Sequence, residues 1–193
     1  MRDHPLPVLP AIGAIRICTP SQGQTEVTMD SSALLVMTDL KRVAAAVISP
    51  QERMEAAEAF MFQRGVRMLL VLDADQHLAG IVTTNDILGE KPVAVAQERR
   101  LRHSDILVAD VMTPAARLEA FDMHEVRTSR VGQVVASLRE AGRHHALVVQ
   151  TSPAGEREVR GIFSLSQMAR QLGMPLQLQG HAHSFAEIEA ALA

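Results

Sequence analysis

With 193 residues and 47% hydrophobic content, the chain can form one domain, or two small ones, around a real core. A formal net charge of -3 and a pI near 6.2 give no electrostatic ground for nucleic acid or an anionic membrane as main partner. The single cysteine, Cys18, excludes an internal disulfide framework and a cysteine-built zinc site, and no window approaches the ~20 apolar residues of a membrane span. The expectation is a soluble protein of the reducing cytoplasm, with no nucleic acid and no membrane among its partners.

Residues 1–30 read as an extended or disordered arm. Pro5, Pro7 and Pro10 interrupt any apolar run that could serve as a signal peptide, and "TPSQGQTE" follows. Beyond the arm, "AAAVI" (44–48) reads as a short strand and "SPQERMEAAEAFMFQRG" as a helix. Ser49 and Glu52 have capping-box spacing, Pro50 suits the first helical turn, Met54, Ala57 and Met61 share a face, and Gly65 supplies a stop. "MLLVL" (68–72) is a buried strand, "DADQH" turns it, "LAGIVT" returns, and a helix starts near Asp86. The basic run "ERRLRH" (98–103) fits the solvated face of a linker helix.

The same order then recurs. "VMTDL" from Val36 is answered by "VMTPA" from Val111, "RGVRMLLVL" by "AGRHHALVV", and "GIVTTNDI" from Gly80 by "GIFSLSQM" from Gly161. In the second copy "LEAF" is the strand, "SRVGQVVASLREAG" a helix capped by Thr128 or Ser129, and "ALVV" and "VRGIFS" the next strands. "SQMARQLG" closes it as a helix. Each unit is thus β-α-β-β-α, and two units make an α+β module. The units are placed at 31–103, with the linker helix, and 104–175. In the tail, 176–193, Ser184 and Glu187 form a capping-box pattern before Phe185, Ile188 and Leu192, which predicts a short docking helix.

Two β-α-β-β-α copies in register, each introduced by "VMT" and each closing on Gly, two apolar residues and Thr or Ser, resemble a tandem pair of CBS domains, a Bateman module of stand-alone type. The resemblance covers about residues 31 to 175. It implies two repeats packed with pseudo-two-fold symmetry, pairing into a homodimer, and a regulatory role without catalysis. It further implies an adenosine-containing ligand such as AMP, ATP or S-adenosylmethionine, and no tightly bound cofactor.

Laid on that pattern, Asp86 is the acceptor for ribose hydroxyls, and Thr83 and Thr84 are hydroxyl donors to phosphate, aided by the N–H groups opening the next helix. Val47 and Ile48 would line the base pocket, and Arg67 would add charge-assisted contacts. The same residues also fit a plain helix cap at a strand end, so capping and binding stand side by side. In the second copy Gln167 replaces the aspartate and Leu165 loses a hydroxyl, while Ser164 keeps one. With His144 at the place of Arg67, the second cleft is expected to be unequal to the first. The pair His181 and His183 reads as loop, and no metal site is expected. No nucleophile-base pairing or Gly-rich phosphate loop suggests an enzyme. A scaffold with ligand-free clefts remains the alternative to a ligand sensor.

Overall fold

The computed structural model describes residues 26–176. Of the arm expected over residues 1–30, residues 1–25 lie outside the described residues, as does the helix expected from Ser184; residues 26–30 are not disordered, since the Met29 carbonyl accepts from the Gly132 N–H. In chain order the strands are β1 (Thr38–Asp39), β2 (Val47–Ile48), β3 (Met68–Leu72), β4 (Leu78–Thr83), β5 (Thr113–Pro114), β6 (Ala120–Asp122), β7 (His145–Thr151) and β8 (Arg157–Ser164). The α-helices are α1 (Met54–Arg64), α2 (Thr84–Leu88), α3 (Lys91–Arg99), α4 (Val108–Val111), α5 (Met123–Thr128), α6 (Val131–Glu140) and α7 (Leu165–Leu172).

Two four-stranded sheets result, in the orders β2-β3-β4-β5 and β1-β8-β7-β6. Within each, the opening strand runs parallel to the next, β2 to β3 and β6 to β7, because a helix carries the chain back across the sheet. The β3/β4 and β7/β8 hairpins are antiparallel. The two β-α-β-β-α units are therefore present, and they pack as a pseudo-two-fold module.

The short strands that begin with "VMT" are exchanged between the units. Strand β1, ahead of the first unit, pairs with β8 of the second, and β5, ahead of the second, pairs with β4 of the first. Glycine makes each crossing possible. Gly80 stands opposite Pro114, where an added Cβ would overlap the Thr113 carbonyl oxygen; Gly161 stands opposite Asp39, where a Cβ would lie 2.5 Å from the Met37 sulfur. The recurrent "GI" of the sequence thus marks the places where one unit's leader lies across the other's sheet. A partly buried Arg160–Asp39 pair, hydrogen-bonded through both guanidinium amines, fastens β1 to β8 and holds the Asp39 carboxyl below its usual pKa.

Apolar burial follows the same plan. Met54, Ala57, Met61, Leu69, Val71 and Val82 join helices to one sheet; Val131, Val134, Leu138, Val148, Phe163 and Met168 do so on the other. Met68, Leu70 and Leu147, with Leu118, Ile81 and Ile162 around them, form a separate cluster with members on both sheets. That arrangement explains the continuous apolar run of "MLLVL": its alternate side chains serve two cores. Val27 and Met29 also pack on the second sheet's cluster.

Two helix starts differ from the sequence expectation. Helix α1 begins at Met54, with no side-chain cap, because the backbone of Pro50, Glu52 and Met54 bonds to Ala109, Val108 and Ile106; Ser49 instead donates to Gln51. Helix α6 begins at Val131, not after Thr128 or Ser129. Ser129 is turned back to donate to the Glu125 carbonyl and closes α5, a helix the sequence reading did not separate from the segment around it.

Candidate functional site

The turn from β4 into α2 places three polar side chains together. Thr83 is the N-cap of α2 and Asp86 its third residue, so the aspartate completes a capping box and is not itself the N-cap. Asp86 is buried, with 8% exposure. Its Oδ2 accepts from the Thr83 N–H at 2.9 Å and from the Thr83 hydroxyl at 2.6 Å. Its Oδ1 accepts from the ammonium of Lys91, at the start of α3, and that ammonium also donates to the Val111 carbonyl at 3.2 Å. Lys91 is a residue that the sequence reading did not single out. Its only local signal is a cation five places after Asp86 at a helix start, which is commonplace in linkers.

Asp86 lies in the wall of a cavity of about 350 Å³, within the range of small-molecule pockets. Thr83, Thr84, Arg67 and Ile81 line it from the first unit. Thr113, Arg117, Leu118, Arg143, His144 and His145 line it from the second. Strand exchange produces this mixture, since β5 carries Thr113 to the edge of the sheet that also holds Thr83.

His144, expected in a separate second cleft, shares this cavity with Arg67; the equivalent strand entrances of the two units meet here. Val47 and Ile48 do not line it. They form β2, at the opposite edge of the sheet from β5, where Ile48 packs on the helix-covered core and Val47 is half exposed. Ser164 and Gln167 also lie outside its lining: Gln167 accepts from the Thr38 hydroxyl at 3.1 Å, and Ser164 shares a hydrogen bond with Ser166 at 3.1 Å. Thr38 and Thr113 hold the same place in the two "VMT" leaders, so the Thr38–Gln167 contact is the second unit's counterpart of the Thr113–Asp86 neighbourhood.

The donors available to an anion are mainly guanidinium groups. The Thr83 hydroxyl already donates to Asp86, and that of Thr84 approaches the Arg67 carbonyl at 3.4 Å. Helix α2 has five residues, too few for its N-terminus to make an anion site, and Asp86 takes the Thr83 N–H. Arg143 pairs with Glu119 at 3.1 Å on the rim, whereas Arg67 and Arg117 have no ion pair among the described residues. His145 stays neutral near pH 7. Burial, then His144 and Arg67, pull its pKa down to about 4 against the opposing pull of Asp86. The cavity thus combines an acceptor carboxylate, unpaired guanidinium groups and an apolar floor of Met68 and Leu147.

One further cluster of potential metal ligands occurs among the described residues. Asp73, Asp75 and His77, on the β3/β4 turn, have ligand atoms within 4.8 Å of one another. Asp73 there accepts the N–H groups of Asp75 at 3.0 Å and His77 at 2.9 Å, which is how the turn is held.

Residues 35–92 match the family model of the CBS domain. No curated protein matches the sequence. Among solved structures, a conserved protein from Pyrococcus horikoshii is similar at TM-score 0.55 and 22% identity, over 78% of this chain and 98% of that one. CBSX2 of Arabidopsis thaliana, in complex with AMP, is similar at TM-score 0.52 and 20% identity, over 72% and 94% of the two chains. The CBS-domain containing protein ATU1752 from Agrobacterium tumefaciens gives 0.51 and 17%, over 70% and 93%. No helix among the described residues is long and apolar enough to cross a membrane. Residues 35–92 are similar to a CBS domain, and the protein has the fold of a CBS pair.

Proposed function

We propose that this is a non-catalytic regulatory protein that binds an adenosine-containing ligand (AMP, ATP or S-adenosylmethionine) in the Asp86 cavity. As a cytoplasmic homodimer of CBS pairs, it would then change its contacts with a partner protein. The observation that carries this reading is the composition of one cavity. Asp86 offers an acceptor to hydroxyl groups, Arg67 and Arg117 offer charge-assisted donors to phosphate, and the two come from both units. A ligand held by both units favours whichever relative arrangement it contacts better, which is how occupancy reaches a partner. The AMP complex of CBSX2, a protein of the same fold, supports the choice of ligand class.

The test is a thermal-shift series of the full chain with AMP, ADP, ATP, S-adenosylmethionine and NAD, repeated with Asp86→Ala. A ligand present at 100 times its Kd stabilises the native state by about 2.7 kcal/mol. A rise in Tm with an adenosine ligand, lost in the variant, is the expected result. The alternative reading, a scaffold with ligand-free clefts, is favoured by the internal hydrogen bonds of Asp86 and by Gln167 at the equivalent place. An unchanged Tm with every ligand would establish that reading instead.

A further inference from the structure

Among the side chains lining the Asp86 cavity are two carboxylates, Asp86 and Glu119, and three guanidinium groups, Arg67, Arg117 and Arg143. They are not all available to a ligand. Asp86 pairs with Lys91, which approaches from outside the lining. Arg143 pairs with Glu119 at 3.1 Å; the two residues stand just ahead of β7 and β6, neighbouring strands of one sheet. Arg67 and Arg117 remain, one from each unit, with no ion pair among the described residues. His145 adds no charge near pH 7. Two unmatched cations answer the charge of one phosphate group, about two negative charges at neutral pH.

We propose that Glu119 is a specificity-determining residue of this cavity: by occupying Arg143 at the rim, it fits the site to a nucleoside monophosphate and disfavours di- and triphosphates. This role rests on the reading of the cavity as an adenosine-ligand site and adds the charge class of that ligand. Each further phosphoryl group brings negative charge that a third guanidinium could receive, but that guanidinium is held by a carboxylate. The Glu119 side chain is 79% exposed and that of Arg143 39%, so the pair stands at the mouth of the cavity, partly screened by water. Its influence is therefore modest, and it weakens as salt is added. Glu119 acts through charge alone, so a ligand without phosphate is indifferent to it.

The test is calorimetric titration of the full chain, of Glu119→Gln, of Arg143→Gln and of the double variant with adenosine, AMP, ADP and ATP. Divalent cations are left out, and the pH is held at about 8, above the range in which histidine titrates. The parent should bind AMP more tightly than ATP. Glu119→Gln should tighten ATP about two- to fivefold, the range of one exposed charge pair, ADP by less and AMP least, with adenosine unchanged. That gain should shrink as salt rises from about 0.05 M to about 0.5 M, as screening of exposed charges requires and a change of cavity shape does not. Arg143→Gln, which leaves the Glu119 carboxylate uncompensated, should weaken ATP most, and the double variant should return toward the parent. A parent that prefers ATP to AMP would overturn the role of Glu119 and leave the ligand site standing. So would a gain in Glu119→Gln that is equal for AMP and ATP, or missing for ATP, while AMP still binds. Absence of binding by every ligand, in the parent and in all variants, would overturn the ligand site and the role of Glu119 with it.

Discussion

Gly80 and Gly161 occupy matching places in the two units, yet substitution should affect them differently. At Gly80 an alanine Cβ would overlap the Thr113 carbonyl oxygen and lie 3.1 Å from Pro114 Cα, so backbone meets backbone and β5 must move away from β4. At Gly161 the nearest atoms are the sulfur and side-chain carbons of Met37, which can rotate aside. Overpacking of a rigid contact costs about 1–3 kcal/mol, and Gly→Ala regains about 0.4–1 kcal/mol by restricting the unfolded chain. The balance is a loss of about 1–2 kcal/mol for Gly80→Ala and about 0–1 kcal/mol for Gly161→Ala. At roughly 2–4 °C per kcal/mol for a protein of this size, Gly80→Ala should melt about 2–8 °C lower and Gly161→Ala by less, at most about 4 °C. Thermal unfolding followed by circular dichroism measures both. Equal losses, or a larger loss at Gly161, would refute the account of how the exchanged strands are accommodated.

Other expectations follow from buried groups. His145 has a folded pKa of about 4 against 6.5 in the unfolded chain, so the unfolded state binds its proton first as the pH falls. The sign is therefore a loss of stability between pH 6.5 and 4, on the order of 2–3 kcal/mol, with no further loss from this group below pH 4. Urea unfolding across that range should show the decline, and His145→Gln should flatten it; an unchanged profile in the variant would remove His145 as the cause. Phe163 is fully buried and meets Phe121 edge to face at 6.1 Å between ring centroids. Phe163→Ala should cost about 3–5 kcal/mol in the same assay, and a loss below about 1 kcal/mol would show that the second core is not packed around it.

The repeat in the sequence carried most of the architecture. The match between "GIVTTNDI" and "GIFSLSQM" places both hairpins and the helices after them, because apolar runs of strand length and turn residues act locally. What the repeat concealed is exchange. Strands β1 and β5 are two residues each, and their pairing with the other unit depends on long-range packing that no local pattern encodes. The family resemblance implies Val47 and Ile48 in the base pocket, whereas β2 lies at the sheet edge away from β5, and Thr113 and Arg117 of the other unit line the Asp86 cavity. The capping reading of Asp86 was correct in kind but not in place, since Thr83 caps and Asp86 closes the box. Lys91 carries no sequence signal, because an ion pair formed across a loop leaves no periodic trace.

The proposed function requires that the cavity containing Asp86 takes an adenosine nucleotide and that the equivalent turn at Gln167 does not hold it. Calorimetric titration of the full chain with AMP, beside Asp86→Ala and Gln167→Ala, tests it most directly. The account predicts saturable binding that Asp86→Ala abolishes or weakens at least about tenfold, the effect of losing one charged hydrogen bond, while Gln167→Ala keeps the parent affinity. Binding that survives Asp86→Ala unchanged, or that falls equally in both variants, would contradict it.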